Sequence, residues 1–210
     1  MDFCEIRLSE LPKIVQSIST EIVRSGFKPN KIVFIERAGL IPGYLINHLI
    51  GGELISVEAK RHEGKTKKIF GSILPVLPKA FRSLLRRIEL GKYKKDVKRI
   101  ITLDSSMQFS KKDLILIVDD SMDSGYTIAG VKQNLEERGA EVTNIKIFVI
   151  NTTILNDLVK PDFLIAEKKI FSFPWSQDSN EYKKFLEYFI RCKRGEITPS
   201  QLWGCLTNEI

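Results

Sequence analysis

The sequence of 210 residues has few cysteines and no long apolar run. Its three cysteines are an odd number and form no Cys-x-x-Cys pair, which fits a reducing compartment rather than a disulfide framework. Even the apolar stretch from Ile41 to Ile50 is interrupted by Pro42 and is far shorter than the roughly 18 residues that cross a bilayer. No charged and then apolar leader precedes the first helix pattern. We therefore expect a cytoplasmic protein that does not cross a membrane.

The sequence also lacks internal repeats and low-complexity tracts. Its hydrophobic fraction of 43% and charged fraction of 28% are those of an ordinary globular protein. A chain of this length is long enough to bury a core, and one domain is the usual expectation. We expect a single domain over residues 1–210.

Positive charge is concentrated in one part of the chain. The net charge is +7, but residues 60–113 hold 16 Lys and Arg against 5 Asp and Glu, so that the rest of the chain is net negative. A concentrated positive field favours an anionic partner, which could be a polyphosphate, a nucleic acid or an acidic membrane surface. Composition leaves these three open.

Apolar patterns alternate between helical and extended periodicity along most of the chain. Helices are predicted at 9–25, 41–50, 80–90, 127–138, 181–190 and 199–206. Strands are predicted at 31–35, 53–58, 100–103, 114–118, 142–150 and 163–166. Such alternation is typical of an α/β fold with a parallel sheet and flanking helices.

Chemistry-bearing residues follow the predicted buried strand Leu114 to Val118. Asp119 and Asp120 come directly after it, and the segment from Asp123 to Thr127 turns into a helix. Ligands of open α/β sheets lie at the carboxyl ends of strands, and the first turn of a helix accepts phosphate through its amide groups and dipole. The loop is therefore suited to hold a phosphate while its acids face a sugar or Mg²⁺, which prefers oxygen ligands.

The segment Val118-Asp-Asp-Ser-Met-Asp-Ser-Gly-Tyr-Thr127 resembles the 5-phosphoribosyl-1-pyrophosphate (PRPP) signature of type I phosphoribosyltransferases. Earlier in the chain, Glu36-Arg-Ala-Gly39 follows an apolar strand where that family carries its pyrophosphate-binding Arg-Gly-Gly loop. Two positions depart from the pattern, since Glu36 puts a negative charge beside a polyanion and Ala38 replaces a glycine.

The resemblance implies roles for particular residues. PRPP binding is assigned to Arg37, Ala38, Gly39, Asp119, Asp120, Asp123, Ser124, Gly125, Tyr126 and Thr127. Asp119 and Asp120 are also the expected Mg²⁺ residues. Arg37 is expected to help pyrophosphate to leave, and Asp123 to contact the base nitrogen as a general base.

The acceptor side is less clearly marked. Ile170-Phe-Ser-Phe-Pro-Trp175 resembles the aromatic-Pro-Trp stretch of xanthine-guanine phosphoribosyltransferases, which makes Phe171 and Trp175 candidates for base stacking, with core packing as the alternative for Trp175. The family's base-contacting lysine position falls on Ile150, with Asn151 beside it. The missing lysine weakens an oxo-purine assignment.

Three functions follow from these patterns. The first is an Mg²⁺-dependent enzyme of nucleotide salvage, expected as a dimer, that transfers phosphoribose from PRPP to a nucleobase, with a purine favoured. The second is a non-catalytic PRPP-binding regulator, and the third a transferase with a non-purine acceptor. Nucleic-acid binding is not expected, because no helix-turn-helix pattern accompanies the basic residues.

Residues 60–112 precede the signature strand, where type I enzymes carry a loop that closes over the reacting centre. We expect this range to form a lid with an insertion, and residues 163–210 to contribute a small hood and C-terminal helices. Within the insertion, the apolar and basic residues of 73–90 would form a surface for docking to a partner or an anionic membrane. A solvated face on an oligomer contact is the alternative.

Flotation with anionic liposomes tests the docking hypothesis. The full chain should rise with the vesicles at low salt, and a variant without residues 73–90 should stay behind, because the segment supplies both apolar and positive side chains. Equal flotation of the two proteins would end the idea.

Overall fold

The computed structural model describes residues 3–61, 99–153 and 158–208. The strands are β1 (Phe3–Glu5), β2 (Lys31–Ile35), β3 (Glu53–Arg61), β4 (Arg99–Thr102), β5 (Ile115–Met122), β6 (Ile145–Thr152), β7 (Phe163–Glu167) and β8 (Ile170–Ser172). The helices are α1 (Leu11–Arg24), α2 (Leu40–Ile50), α3 (Tyr126–Glu137), α4 (Tyr182–Lys193) and α5 (Pro199–Thr207).

A sheet of six described strands in the order β4-β3-β2-β5-β6-β7 forms the centre of the fold. From β3 to β7 every neighbouring pair is parallel. Strands β2, β5 and β6 are almost wholly apolar because both of their faces are covered, as is usual in parallel sheets. The predicted parallel α/β sheet with flanking helices is confirmed.

The helices cover the two faces of the sheet unequally. Leu116 and Val118 of β5 join a core with α1, α2, α4 and α5, while Ile115 and Ile117 join a second core with α3. This division follows from the alternation of side chains along a strand. No helix among the described residues is long and apolar enough to span a membrane.

The chain divides into two units, residues 1–59 with 101–210 and residues 60–100. The second unit contains most of the basic range that we predict as a lid and insertion. The predicted helix at 80–90 and the docking segment 73–90 lie outside the described residues.

Two differences from the predicted elements affect the site. Strand β5 continues to Met122, because Asp119 and Ser121 still pair with Val149 and Asn151 of β6, so Asp119 and Asp120 lie within the strand and not after it. The short strands β1 and β8 were not predicted. They pair with each other in parallel, with Phe3 beside Ile170, and a contact between positions so far apart leaves no local pattern.

The turn from β2 into α2 is pressed against β5. The amide of Gly39 donates to the Ile35 carbonyl at 2.9 Å. A Cβ at Gly39 would overlap the carbonyl oxygen of Val118 and lie 2.9 Å from both the amide nitrogen and the carbonyl oxygen of Ile35. Only glycine fits at this position without movement of backbone.

Gly39→Ala should therefore destabilise the protein by about 2 kcal/mol or more, because its Cβ meets backbone atoms that cannot yield cheaply. Gly204→Ala is the matched control, since a Cβ there meets nothing within 4 Å and alanine favours the helix interior, so this change should be neutral or stabilise by up to about 1 kcal/mol. Urea unfolding of both variants measures the difference. Equal stability of the two would contradict the close approach at Gly39.

Candidate functional site

Two adjacent carboxylates near the carboxyl end of β5 form the centre of the candidate site. Asp119 is 8% exposed, and its Oδ1 accepts a hydrogen bond from the Asp120 amide at 2.9 Å. Asp120 accepts from the indole Nε1 of Trp175 at 2.6 Å and from the Ser121 hydroxyl at 3.1 Å. The two carboxyl groups are close enough to interact directly, since each is among the causes that shift the pKa of the other.

The position of Asp119 and Asp120, largely away from water, makes it costly in free energy to keep their carboxyl groups ionised. Burial raises the pKa of Asp119 well above its ordinary value, and the nearby charge of Asp120 raises it further. Burial also raises the pKa of Asp120, against the opposing effect of hydrogen bonds from Trp175 and Ser121. A cation or the hydroxyl groups of a ligand would relieve this cost, so the pair is suited to bind one or both.

The loop after β5 leads the chain into α3. Gly125 precedes the helix with φ of 75°, a left-handed conformation that glycine adopts without strain. Ser124 and Thr127 are half-buried and Tyr126 is 39% exposed at the start of the helix. The amide groups of this first turn have no carbonyl partner within the helix, which makes the turn a natural site for phosphate.

Asp123 in this loop is held by a residue that sequence reasoning missed. The hydroxyl of Thr153, directly after β6, donates to Asp123 Oδ1, and the Thr153 amide donates to the Met122 carbonyl at 3.2 Å. Only the pairing of β5 with β6 brings these two residues together. Thr153 therefore orients the carboxylate that the sequence marks as the candidate general base.

The β2–α2 loop contains an arginine in an unusual backbone conformation. Arg37 is exposed and has φ of 74°, which is uncommon for a residue with a side chain and costs roughly 1 kcal/mol or more. Its Nη2 group donates to the hydroxyl of Tyr182, and Cζ lies 5.8 Å from the centre of that ring. Ala38 is partly buried against the core.

Glu36, one of the two departures from the family pattern, has partners of its own. The hydroxyl of Ser56 donates to Glu36 Oε1 at 2.6 Å, and the ammonium group of Lys193 forms an ion pair with the same oxygen. Lys193, on α4, therefore balances the negative charge of Glu36. The carboxylate would not be unpaired if a pyrophosphate bound beside it.

The two loops meet at one edge of the sheet. Because β2 and β5 are adjacent and parallel, with Phe34 beside Val118, both strands end at this edge. The contact between Gly39 and Val118 brings the loops together directly. The residues predicted to bind PRPP thus lie at one edge of the sheet, on the β2–α2 loop, near the carboxyl end of β5 and in the turn that begins α3.

The predicted base residues are placed differently from one another. Phe171 is partly exposed on β8, with its ring centre 5.8 Å from that of Phe173. Trp175 is only 8% exposed and is stacked on Phe173 at 4.9 Å and 7°. Ile150 has no exposed surface and lies in the core, so the structure does not bring its side chain to the open edge.

Trp175 is enclosed by other aromatic side chains. One ring face is covered by Phe173 and the ring also contacts Phe185 at 5.8 Å, so the packing alternative describes its surroundings. Its indole group donates to Asp120 and so fixes that carboxylate. The aromatic pattern of the sequence singled out Trp175, but it could not reveal the hydrogen bond from Trp175 to Asp120 of β5.

Two residues at the end of β6 have buried polar atoms that make no hydrogen bond with any described residue. Within the described part of the chain, Asn151 Oδ1 and Thr152 Oγ1 are buried without a hydrogen-bond partner, while Asn151 Nδ2 donates to the Lys169 carbonyl at 2.8 Å. Asn151 lies beside Ser121 of β5. Buried polar atoms of this kind are uncommon, and an ordered water, an ion or a catalytic role is the usual explanation.

The carboxylates do not form a complete metal cage. Residues 3–61, 99–153 and 158–208 contain no group of three or more His, Cys, Asp or Glu that could hold a metal ion. Mg²⁺ is commonly held by one or two carboxylates together with substrate phosphates. Asp119 and Asp120 fit that mode, because they lie next to the loop that leads from β5 into α3.

Solved structures similar to this chain share one fold. A purine phosphoribosyltransferase from Pyrococcus horikoshii Ot3 is similar with a TM-score of 0.60 and 22% identity, over 84% of this chain and 95% of that chain. A hypothetical protein from Neisseria gonorrhoeae with bound ppGpp gives a TM-score of 0.61 and 15% identity, over 91% and 97%. The xanthine-guanine-hypoxanthine phosphoribosyltransferase of Helicobacter pylori gives 0.52 and 14%, over 89% and 99%.

No family model and no curated protein matches the sequence. At these identities the similarity establishes the fold, which is that of the type I phosphoribosyltransferases. The fold-level resemblance first indicated by the signature segment is confirmed.

The raised pKa of Asp119 predicts a change in stability with pH. A carboxyl whose folded pKa is raised favours the folded state below its unfolded pKa, and this contribution is lost as the pH rises through the folded pKa. Asp119→Asn, which keeps an oxygen for the Asp120 amide, should therefore raise the free energy of unfolding by about 1–2 kcal/mol at pH 8 and much less at pH 4.

Urea unfolding at both pH values measures this effect. Asp104→Asn is the control, because hydrogen bonds from Ser106 lower the pKa of that exposed carboxyl, so the change should not stabilise the protein at either pH. A gain for Asp119→Asn that is the same at pH 4 and pH 8 would contradict the electrostatic explanation.

Proposed function

We propose that this chain transfers phosphoribose from PRPP to a nucleobase and releases pyrophosphate. The observation that carries the proposal is the meeting of two loops at one sheet edge, with Arg37 and Gly39 on one and the acids of β5 with the turn into α3 on the other. A phosphorylated sugar with a second anionic group suits this combination of acids, amide donors and a guanidinium group.

Different parts of PRPP, the phosphoribosyl donor, contact the two loops in this proposal. The 5-phosphate lies against the first turn of α3, where Ser124, Gly125 and Thr127 supply amide and hydroxyl donors. Asp119 and Asp120 accept hydrogen bonds from the ribose hydroxyls. The pyrophosphate lies along the β2–α2 loop beside Arg37.

The reaction replaces one bond at C1 of the ribose with another. The bond from C1 to the pyrophosphate oxygen breaks, the pyrophosphate leaves with the electron pair, and a nitrogen of the base forms the new bond. Arg37 stabilises the charge that develops on the leaving group. Asp123, held by Thr153, takes the proton of the base nitrogen.

Mg²⁺ would be held by Asp119 and Asp120 with oxygens of PRPP, and when bound it supplies positive charge for the departing pyrophosphate. Burial is the main cause of the raised pKa values of both carboxyl groups, and a bound cation would offset the cost of keeping them ionised there.

A purine is the acceptor that we propose. The similar structures from Pyrococcus horikoshii Ot3 and Helicobacter pylori carry the names of a purine and a xanthine-guanine-hypoxanthine phosphoribosyltransferase. Phe171, partly exposed on β8, offers a ring face for stacking.

The regulatory alternative is supported by a different observation. The similar protein from Neisseria gonorrhoeae contains bound ppGpp. A guanosine tetraphosphate presents a ribose and two diphosphates, which are groups of the kind that this loop edge would hold. A binding assay with ppGpp in competition with PRPP therefore belongs beside the activity assay.

One assay separates these functions. The protein is incubated with Mg²⁺, PRPP and a panel of purine and pyrimidine bases, and pyrophosphate release and nucleotide formation are measured. Turnover with a purine supports the proposal. Turnover with a different base selects the non-purine alternative, and PRPP or ppGpp binding without turnover of any base favours the regulator.

Asp123→Asn should lower kcat roughly 100-fold without unfolding the protein, because the amide keeps an oxygen for Thr153 but cannot accept the proton. Asp120→Asn should also lower activity sharply. Asp162→Asn is the control, since Asp162 immediately precedes β7, at the opposite edge of the sheet, where it pairs with Lys146. Loss of the circular dichroism signal in either site variant would instead indicate a structural role.

A further inference from the structure

Helix α4 contacts the β2–α2 loop at both of its ends. Tyr182, the first residue of the helix, accepts a hydrogen bond from Arg37, and Lys193, the last residue, pairs with Glu36. A helix of 12 residues is about 18 Å long, so these two consecutive loop residues extend in opposite directions along it. The helix therefore lies across the loop and holds it by two separate contacts.

The two contacts differ in charge. Lys193 offsets the carboxylate of Glu36, whereas the partner of Arg37 is the neutral hydroxyl and ring of Tyr182. Among the described residues Arg37 takes part in no ion pair. The guanidinium group is thus oriented without being neutralised, and its full charge stays available to an anion.

Tyr182 is itself firmly placed. Its ring is half-buried, with its centre 6.4 Å from that of Phe185, which has no exposed surface. Phe185 in turn contacts Trp175, whose indole group donates to Asp120. One helix thereby supports the guanidinium group on one loop and the carboxylate on β5.

An exposed arginine without such a contact would have many side-chain conformations, and ordering it on binding an anion costs free energy. The left-handed backbone at Arg37 already limits its direction, and the Tyr182 contact limits it further. Preorganisation of this kind raises affinity by reducing the ordering that remains.

We propose that Tyr182 is a positioning residue that holds the guanidinium group of Arg37 for a diphosphate ligand at the β2–α2 loop. This inference rests on the proposed function only as far as PRPP or pyrophosphate binds at that loop. It does not require transfer to a base.

Isothermal titration calorimetry with Mg²⁺-pyrophosphate and with Mg²⁺-PRPP tests whether Tyr182 positions Arg37. Tyr182→Phe removes the hydroxyl and keeps the ring, and should weaken both ligands about fivefold to tenfold. Tyr182→Leu also removes the ring and should weaken them further. Where turnover is measured, kcat/KM for PRPP should fall by at least the same factor, because Arg37 also stabilises the leaving pyrophosphate, while the midpoint of thermal unfolding of Tyr182→Phe stays nearly unchanged.

A double-mutant cycle shows whether Tyr182 acts through Arg37. Arg37→Ala keeps a Cβ in the left-handed backbone, so it removes the guanidinium group without relieving that strain. In the Arg37→Ala background, Tyr182→Phe should have no further effect on binding. Tyr44→Phe is the matched control, because the Tyr44 hydroxyl also contacts α4, through the Cys192 carbonyl at 3.2 Å, but does not contact Arg37.

Each contrary outcome has a distinct meaning. Unchanged or tighter binding by Tyr182→Phe overturns the positioning role alone, and so does an equal loss in Tyr44→Phe, which would point to attachment of the helix. If the unmodified protein binds neither PRPP nor pyrophosphate with Mg²⁺, the proposed function fails together with this inference.

Discussion

The parallel pairing of β2 with β5 is the constraint on which the candidate site depends. It places the carboxyl ends of two strands side by side, so the loops that follow them share one edge. The contact of Gly39 with the Val118 carbonyl leaves no room for a side chain between the loops. A guanidinium group on one loop and carboxylates on the other can then face a single ligand of moderate size.

The acids of β5 are placed at a cost to stability. A strand that pairs on both sides and is covered on both faces would ordinarily continue with apolar residues, yet Asp119 and Asp120 lie in the second half of β5, before Ser121 and Met122. Hydrogen bonds from Ser121 and Trp175 offset part of the cost at Asp120. Retaining a buried and a half-buried carboxylate side by side in such a position is expected where a ligand or cation needs them.

The C-terminal part of the chain supports both loops from one side. Helix α4 belongs to the same core as α1, α2 and α5, and its position follows from the burial of Phe185, Tyr188 and Cys192. That packing carries Tyr182 and Lys193 to the β2–α2 loop and Phe185 to Trp175. This packing also explains the two positions that depart from the family pattern. Glu36 has a cationic partner on α4, and Ala38 packs on the core.

The amino-acid sequence by itself determined the order of the strands of the central sheet and of the described helices around it, the parallel α/β class and the segment from Asp119 to Thr127, because these depend on local periodicity and on residues that are close along the chain. It did not reveal β1 and β8, the continuation of β5 to Met122, or the partners of Asp120, Asp123 and Arg37. Those partners are Trp175, Thr153 and Tyr182, which are 30 to 145 residues away. Only the tertiary structure decided these contacts, because they arise from strand register and helix packing, which no local pattern encodes.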